Sequence, residues 1–438
     1  MTAQPTAEPE PEPTTVAGPP APGYAPEVTG PASEELGPAL DPGAAPAFPL
    51  PRTCPFAPPP DYARLRDEQP AFQVRLPTGA LAWVVSRYAD VRALLADPRV
   101  SADARHPSFP AMGVGERETA ARNRPFIRTD PPDHTRIRKM LQAEFTARRV
   151  RDMVPGLTAF AESLVDEMIA AGPPVDLVSA FANRMSTATV LNLMGVPTDN
   201  LEFFRDVTRI SGGRDSTAEE AQAALGNMFR MFNELIDHRL AEPGEDLLSR
   251  LVVNHLATGA VTRQELMSTI GITIVAGRET TTSMIALGTA VLLENPDLAT
   301  ALLADPELLG PTVDELLRLL SVADSIPLRV ATADLDVGGV RVPAGDGLIL
   351  LLAGANHDPE VFTDPERFDP HRTNRHHVAF GFGIHQCIGA SLARAELEIS
   401  YQVLLRRLPG LRLVVPVAEL ELRNDSATFG VEAMPVAW

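Results

Sequence analysis

The order of apolar and polar positions divides the chain into a small β-rich part, a long helical part and a mixed carboxyl-terminal part. The run DYARLRDEQ, which starts at Asp61, has apolar residues at helical spacing and predicts a short helix. The next run, FQVRLPTGALAWVVS, is rich in β-branched and aromatic residues on both sides of Pro77-Thr78-Gly79. Because such a tripeptide is typical of a turn, the pattern predicts a β-hairpin.

The long helical part extends over residues 130–321, where the periodicity is helical almost throughout. Asp133 is a candidate N-cap, and Thr262 followed by Glu265 has the form of a capping box. The helix that Thr262 opens continues as far as Pro296 with apolar residues around much of its circumference. We therefore expect this helix to cross the core of the protein.

The carboxyl-terminal part combines short strands with one last helix. The runs LRVAT, VGGVRV and GLILLL predict strands, because they are short and rich in β-branched or apolar residues. An irregular stretch, residues 356–382, separates them from a long helix that we expect to start at about Ile388. The predicted fold class is therefore mainly α with a smaller β part.

The amino-terminal segment differs in composition from the rest of the chain. Residues 1–48 are rich in Pro, Ala, Gly and Glu and contain seven acidic residues but no Lys or Arg. Such a segment cannot bury enough apolar surface to offset its chain entropy. We predict a disordered tail over residues 1–48 and one folded domain over residues 49–438, with the first ordered element near Asp61.

Charge and cysteine content exclude several classes of protein. The formal net charge of -19 argues against nucleic-acid binding, since phosphate contacts need clustered Lys and Arg. The two cysteines, Cys54 and Cys387, cannot form a disulfide framework or a four-thiolate zinc site, which fits a reducing compartment. No export signal is visible, and no run reaches the roughly 18 apolar residues of a membrane span. We expect a cytoplasmic protein without a membrane anchor.

One cysteine lies in a glycine-rich segment. In HVAFGFGIHQCIGASLARAELE, Cys387 follows Gly381 and Gly383 and precedes Gly389 and a helical pattern. Glycines let the backbone pass close to a flat ligand, and free N–H groups at a helix start lower the pKa of a thiol. An isolated buried cysteine is more often an inert small hydrophobe, but the glycine pattern favours a metal ligand. The glycine spacing does not match a dinucleotide-binding G-x-G-x-x-G.

A second motif, Ala276-Gly277-Arg278-Glu279-Thr280, lies in the middle of the long helix. Gly in a helix costs about 1 kcal/mol relative to Ala, so we expect a local opening of the helix at Gly277 that could hold water. Glu279 and Thr280 supply an acid and a hydroxyl, which can deliver protons to a reacting group. For an isolated pair, the alternative is a Thr hydroxyl bonded to the carbonyl one turn earlier beside a solvated Glu.

The segment from Phe380 to Gly389 fits F-G-x-G-x-H-x-C-x-G throughout and resembles the haem-binding loop of the cytochromes P450. Residues 276–280 resemble that family's A-G-x-[DE]-T motif, although Arg278 stands where relatives usually have an uncharged residue. The resemblance covers about residues 50–438 and implies the cytochrome P450 fold, with a long central helix over a haem held by a Cys loop. It implies haem b with Cys387 as the axial thiolate ligand.

The resemblance also implies roles for other residues. Glu279 and Thr280 occupy the catalytic acid and alcohol positions, and Phe380 packs beneath the haem near the sulfur. The positions that hold the haem propionates are His134, Arg138, Arg329 and His385. The members of a buried structural cluster behind the haem are Glu315, Arg318 and Arg367. The apolar walls of the substrate pocket are expected at Ile272, Val275, Ala276, Ile326 and Phe429.

The implied activity is that of a haem-thiolate monooxygenase, which inserts one atom of O₂ into an apolar small molecule by hydroxylation or epoxidation. Members of this kind tailor natural products or oxidise xenobiotics. No flavin or nicotinamide site is visible, so electrons are expected from a ferredoxin and its NAD(P)H-dependent reductase, and the enzyme is expected to be a monomer. Residues 106–118 and 210–220 resemble mobile lids. A peroxygenase driven by H₂O₂ and a haem-binding protein without turnover remain alternatives.

A basic patch on the Cys387 side of the molecule could steer an acidic ferredoxin. Ordinary solvated helix charge is an equally open interpretation of the same residues. The candidate members are Arg136, Lys139, Arg148, Arg149, Arg394 and the cations of residues 371–377.

Overall fold

The structure is a computed structural model that describes residues 45–113, 116, 124–196, 203, 218–424 and 426–438. The predicted tail lies outside the described residues up to position 44. Residues 114–115 and 117–118 of the first predicted lid, and residues 210–217 of the second, lie outside them as well.

The amino-terminal part contains the predicted helix and hairpin, followed by a second helix and a short strand. They are α1 (Asp61–Glu68), β1 (Ala71–Arg75), β2 (Leu81–Val85), α2 (Tyr88–Ala96) and β3 (Val100–Ser101). The expected start of order near Asp61 is wrong, because the chain is already packed at Phe48. The Phe48 N–H donates to the Arg75 carbonyl at 2.9 Å, and the Phe48 ring is buried.

The central part is helical, as predicted. Its elements are α3 (Asp133–Gln142), α4 (Ala147–Ala171), β4 (Val175–Asp176), α5 (Asn183–Met194), α6 (Ala218–Ala241), α7 (Leu247–Leu251), α8 (Arg263–Leu293), α9 (Pro296–Ala304) and α10 (Leu309–Leu320). The Thr262–Glu265 capping box of α8 is confirmed. The N-cap predicted at Asp133 is wrong: the cap position is Pro132, and the Asp133 carboxylate instead accepts from Arg124 at 2.8 Å.

The carboxyl-terminal part supplies most of the strands and the last helix. Its elements are β5 (Leu328–Ala331), β6 (Leu335–Val337), β7 (Val340–Val342), β8 (Gly347–Leu350), α11 (Leu352–Asn356), α12 (Ala390–Arg407), β9 (Arg412–Leu413), β10 (Leu422–Arg423), β11 (Gly430–Val431) and β12 (Pro435–Ala437). The main sheet has the order β1-β2-β8-β5-β3, so it combines strands of the amino-terminal part with strands of the carboxyl-terminal part. The parallel pairing of β2 with β8 joins them.

Helix α8 runs through the largest core cluster and contacts α5, α9, α10 and α12. Two glycines set how closely its neighbours approach. A Cβ on Gly277 would lie 2.7 Å from a Val190 methyl of α5, and a Cβ on Gly288 would overlap the Tyr401 hydroxyl of α12. Among the described helices, none combines the length and apolarity that crossing a bilayer requires.

Candidate active site

A cavity of about 280 Å³ lies between α8 and the segment that carries Cys387, and its lining is mostly apolar. Three of the predicted pocket walls, Ile272, Ala276 and Ile326, line it. The other two predicted walls are wrong for this cavity. Val275 is 42% exposed and does not line the cavity, and Phe429 is buried beneath the Arg52 guanidinium, which lies 4.3 Å from its ring.

The Cys387 segment is a tight loop rather than the first turn of a helix. The Cys387 N–H donates to the Phe380 carbonyl at 2.8 Å, and the Gly381 N–H donates to the Val378 carbonyl at 2.7 Å. Gly383 has a φ of +72°, and a Cβ there would lie 2.5 Å from the Leu95 carbonyl oxygen of α2, so only glycine fits this contact. The loop therefore holds the sulfur at the cavity from a backbone braced against α2.

The Cys387 side chain is exposed, but the space it faces is the cavity that it lines. Burial within the surrounding protein raises the pKa of the free thiol. The Gly389 N–H and the guanidiniums of Arg138 and Arg394 act in the opposite direction but do not outweigh it. The expected lowering of the pKa is thus wrong in sign for the free thiol, because burial outweighs the N–H of Gly389, the residue that precedes α12.

Phe380 lines the same cavity as Cys387. The Arg394 guanidinium lies 4.7 Å from the centre of the Phe380 ring, and its Nε donates to the Asp314 carboxylate at 2.7 Å. A cation over an aromatic face is favourable and restrains the ring. Arg394 therefore holds the Phe380 ring, although its side chain is partly exposed.

The four predicted propionate anchors converge at one end of the cavity. Arg138, Arg329 and His385 line it, and the His134 ring lies 4.2 Å from the His385 ring. Neither ring nitrogen of either histidine has a hydrogen-bond partner among the described residues. Burial lowers the pKa of His385 to about 2 and that of Arg329 to about 9, with neighbouring cations adding to both effects. This end of the cavity is positive and short of anions.

The motif residues on α8 face in different directions. Thr280 lines the cavity, and its hydroxyl donates to the Ala276 carbonyl at 2.7 Å. Glu279 does not line the cavity; its carboxylate pairs with Arg278 at 3.0 Å and is 27% exposed. Arg278 is buried and also donates to Asn183 Oδ1 of α5 at 3.1 Å. Arg278 thus ties Glu279 to α5.

The local opening expected at Gly277 is not seen, because α8 continues without interruption from Arg263 to Leu293. The close contact of Gly277 with Val190 gives this glycine a packing role. Three successive threonine hydroxyls, on Thr280, Thr281 and Thr282, instead bond to carbonyls one turn earlier. Such back-bonding satisfies hydroxyls within a helix and can bend it slightly.

The predicted structural cluster behind the cavity is present, but one member is different. Arg318 and Glu315 form a buried bidentate pair at 2.8 and 2.9 Å. The third member is Arg372, whose Nε lies 3.1 Å from Glu315, and not Arg367 as predicted. Arg367 contributes only its carbonyl, which accepts from Arg318 and Arg372. The side chain that reaches Glu315 depends on how the irregular segment folds back, which local sequence does not reveal.

Two charged residues at the cavity were not found from the sequence. Arg128, two residues before Asp130, lines the cavity next to Ile326 and Arg329. Glu396 on α12 also lines it; the residue is 2% exposed, and burial raises the pKa of its carboxyl to about 8. Its Oε1 atom has no partner among the described residues. Neither residue belongs to a short motif, although Glu396 falls on the inner face of the predicted last helix.

The lining of this cavity fits a haem. A thiol at one wall is a ligand for iron, and the apolar walls suit a flat porphyrin. The positive end, with its unpartnered imidazoles and buried guanidiniums, suits two carboxylates. Buried cations without anions are unfavourable, and the two propionates of a haem would compensate the charge of this cluster.

Comparisons with known proteins agree with this arrangement. The family described as Cytochrome P450 matches residues 302–409. Cytochrome P450 105A3 of Streptomyces carbophilus is 44% identical over 90% of this chain and 96% of its own length. Vitamin D3 dihydroxylase of Streptomyces griseolus is 43% identical over 90% and 97%. The solved structure of CYP105N1 from Streptomyces coelicolor A3(2) is 58% identical, covers 90% of this chain and 99% of its own, and has a TM-score of 0.85.

These similarities extend over nearly the whole described chain, and they confirm the predicted fold class and cofactor. Cytochromes P450 bind haem b through an axial cysteine thiolate, and they use O₂ and a small-molecule substrate. The chain belongs to the cytochrome P450 family of haem-thiolate monooxygenases.

Proposed function

We propose that this cytochrome P450 inserts one oxygen atom of O₂ into an apolar small molecule, by hydroxylation or epoxidation, with Cys387 as the axial ligand. The observation that carries the proposal is that the Cys387 side chain and the Thr280 side chain line the same cavity from two different elements. Bound haem supplies the redox chemistry that activates O₂. The protein supplies the ligand, the anchors, the proton path and the shape of the pocket.

Cys387 is the proposed ligand because, of the two cysteines, it is the one that lines the cavity. The Gly389 N–H and the nearby guanidiniums favour its thiolate form, which offsets part of the effect of burial. Phe380 covers the sulfur side of the site under the Arg394 cation. The proposed propionate anchors are His134, Arg138, Arg329 and His385.

Thr280 is the proposed alcohol and Glu279 the proposed acid of proton delivery. The Thr280 hydroxyl hydrogen is engaged with Ala276, which leaves its oxygen free to accept a hydrogen bond from a group in the cavity. Glu279 is partly exposed, so it can exchange protons with solvent on the outer side of α8. The pair thus spans the wall between solvent and cavity, with Arg278 holding the acid.

The proposed substrate is an apolar or amphipathic natural product. Ile272, Ala276 and Ile326 form apolar walls, which favour an apolar surface on the ligand. A structure 58% identical to this chain is described as a cytochrome P450 oxidase in the coelibactin siderophore biosynthetic pathway. That similarity supports a tailoring role in secondary metabolism over general xenobiotic oxidation.

The proposed electron donor is an acidic ferredoxin. Several candidate patch residues are engaged: Arg136 pairs with Glu265, Arg149 with Glu144, and Arg372 with Glu315. Lys139, Arg148 and Arg375 are exposed and have no ion pair among the described residues, so their charges are available to a partner. These free cations support steering by opposite charge. The Arg138–Gln386 hydrogen bond at 2.6 Å ties the helix that carries Lys139 to the Cys387 loop.

The decisive test is a comparison of wild type with Cys387→Ser. We expect the reduced carbon monoxide complex of the wild type to have the spectrum of a thiolate-ligated haem, and Cys387→Ser to lose it. A variant spectrum identical to that of the wild type would refute Cys387 as the ligand. Product formation is then compared between NAD(P)H with ferredoxin and reductase, H₂O₂ alone, and neither. Turnover with H₂O₂ alone would indicate a peroxygenase, and no turnover a haem-binding protein.

A further inference from the structure

Arg128 is a largely buried cation at the cavity that no motif assigns. Its side chain is 13% exposed, and it lines the cavity beside Ile326 and Arg329. The residue lies in a short 3₁₀ turn, Phe126–Arg128, that immediately precedes the segment leading into α3. We infer that Arg128 binds a carboxylate inside the cavity. This inference rests on the proposed haem monooxygenase function and adds a binding residue to it.

The contacts of Arg128 leave its charge poorly compensated. Among the described residues its ion pair is with Glu116, at 3.7 Å, and the Glu116 side chain is 35% exposed. Its Nη1 lies 3.4 Å from the Ile326 carbonyl, at the long end of hydrogen-bond geometry. Its guanidinium lies 5.1 Å from the Phe109 ring centre, which orients the side chain without neutralising it.

A second buried guanidinium makes this environment more positive. Arg329 is 5% exposed, and the one hydrogen bond that its guanidinium makes within the described chain is to the carbonyl of its own neighbour, Leu328. Burial lowers the pKa of both groups, and the Arg128 charge lowers the pKa of Arg329 further. Nearby Asp130 is committed to the Ser101 hydroxyl and the Ala102 N–H. An anion in the cavity would relieve this repulsion.

A carboxylate suits the site by geometry as well as charge. A guanidinium presents parallel N–H groups that match two carboxylate oxygens. Two sources of this group are available in the proposed function: a haem propionate and a carboxylate on an amphipathic substrate. Both place the same chemistry against Arg128, and they are separated by experiment.

The experiment uses purified holoprotein of the wild type, Arg128→Gln, Arg128→Lys and, as a matched control, Arg124→Gln. Arg124 belongs to the same segment but is 40% exposed and pairs with Asp133 outside the cavity. One arm measures the rate of haem transfer to excess apomyoglobin. The other measures spectral binding of dodecanoic acid and dodecan-1-ol, which differ only in the head group. Thermal unfolding of each variant is recorded in parallel.

If Arg128 binds a haem propionate, Arg128→Gln should accelerate haem transfer to apomyoglobin by roughly tenfold or more, since a charged hydrogen bond contributes about 1.5–3 kcal/mol. If Arg128 instead binds a carboxylate of the substrate, Arg128→Gln should lower the preference for dodecanoic acid over dodecan-1-ol by a similar factor. Arg128→Lys should lie between wild type and Arg128→Gln, and Arg124→Gln should match wild type.

The inference is overturned if both arms stay within twofold of wild type while only the melting temperature changes, because Arg128 would then be structural. If Arg128→Gln does not retain haem on purification, the Arg128→Lys variant decides in the same two arms. The wild-type carbon monoxide spectrum is recorded first. A wild-type spectrum that lacks the thiolate-ligated form would contradict the proposed function itself. A normal wild-type spectrum with no effect of Arg128→Gln in either arm would contradict only the inference about Arg128.

Discussion

Thr280 shows how one side chain at the cavity combines a structural and a chemical use. Its hydroxyl hydrogen is donated to the Ala276 carbonyl, while its oxygen faces the cavity. The two sequence interpretations of this residue, back-bonding and proton delivery, are therefore compatible. A hydroxyl in this position accepts from the cavity and is held in one rotamer by the helix.

Replacement of Thr280 by Ala should uncouple electron transfer from product formation. We expect product per NAD(P)H to fall by about tenfold or more, with H₂O₂ appearing in its place, because positioned proton transfer contributes roughly 10²–10⁴-fold. Product and H₂O₂ are measured together in the same reaction. Thr280→Ser, which keeps the hydroxyl, is the control and should stay near wild type. Tight coupling in Thr280→Ala would mean that another group delivers the proton.

Arg278 should be energetically coupled to Glu279. The guanidinium links Glu279 to Asn183 of α5 and is itself buried, so the ion pair is only partly screened by solvent. In a double-mutant cycle of Arg278→Gln and Glu279→Gln, unfolding of the holoprotein should give a coupling of on the order of 1 kcal/mol. In a control cycle that combines Glu279→Gln with the distant Arg124→Gln, the two effects on the unfolding free energy should be additive. Additivity in both cycles would refute a holding role for Arg278.

At the scale of elements, α12 carries a buried acid that makes stability depend on pH. Glu396 has its carboxyl pKa raised from 4.5 to about 8 by burial, so the folded state keeps a proton that the unfolded chain releases. The stabilising contribution of that proton is complete below pH 4.5 and is lost as pH rises through about 8. This direction is opposite to that of a salt-bridged carboxylate.

Glu396→Gln should therefore become more stable relative to wild type as pH increases from 5 to 8. The expected difference at the upper end is on the order of a few kcal/mol, since each unit of pKa difference is worth about 1.4 kcal/mol. Chemical denaturation at four or five pH values measures it. Parallel curves for the two proteins would contradict a raised pKa at Glu396.

Helix α10 depends on the cluster of Glu315 with Arg318 and Arg372. Glu315→Gln would leave two buried guanidiniums without their carboxylate, so we expect a loss of about 3–5 kcal/mol in unfolding free energy. Glu162→Gln removes a carboxylate that also pairs with two arginines, Arg406 and Arg407, but near the surface. That control should cost about 0–1 kcal/mol. Equal losses in the two variants would argue against the buried cluster.

At the scale of the whole molecule, few of the predicted patch cations are available to a partner. Lys139→Gln combined with Arg148→Gln should slow ferredoxin reduction several-fold at low ionic strength, and the difference should shrink as salt is added. Stopped-flow reduction at a series of salt concentrations measures this. Arg341→Gln, on the β6–β7 hairpin and paired with Asp334, is the control and should reduce like wild type. A salt-independent rate would contradict electrostatic steering.

Local sequence determined the elements and the chemistry of this protein. Helix α1, the β1–β2 hairpin and the capping box of α8 follow from periodicity and turn residues that act over a few positions. The loop from Phe380 to Gly389 is equally local, because closely spaced glycines and one cysteine shape a single turn of backbone. Identification of the family from this loop needed no knowledge of how the rest of the chain packs.

Tertiary structure alone decided which distant side chains meet. Arg372 rather than Arg367 reaches Glu315, and Ile272 lines the cavity while Val275 does not. Arg128 and Arg329, about 200 positions apart in the chain, line the same cavity. The same holds for Gly277, whose role is set by Val190 on another helix. The physical reason is that side-chain direction and burial depend on the relative placement of whole elements, and that placement is governed by non-local packing.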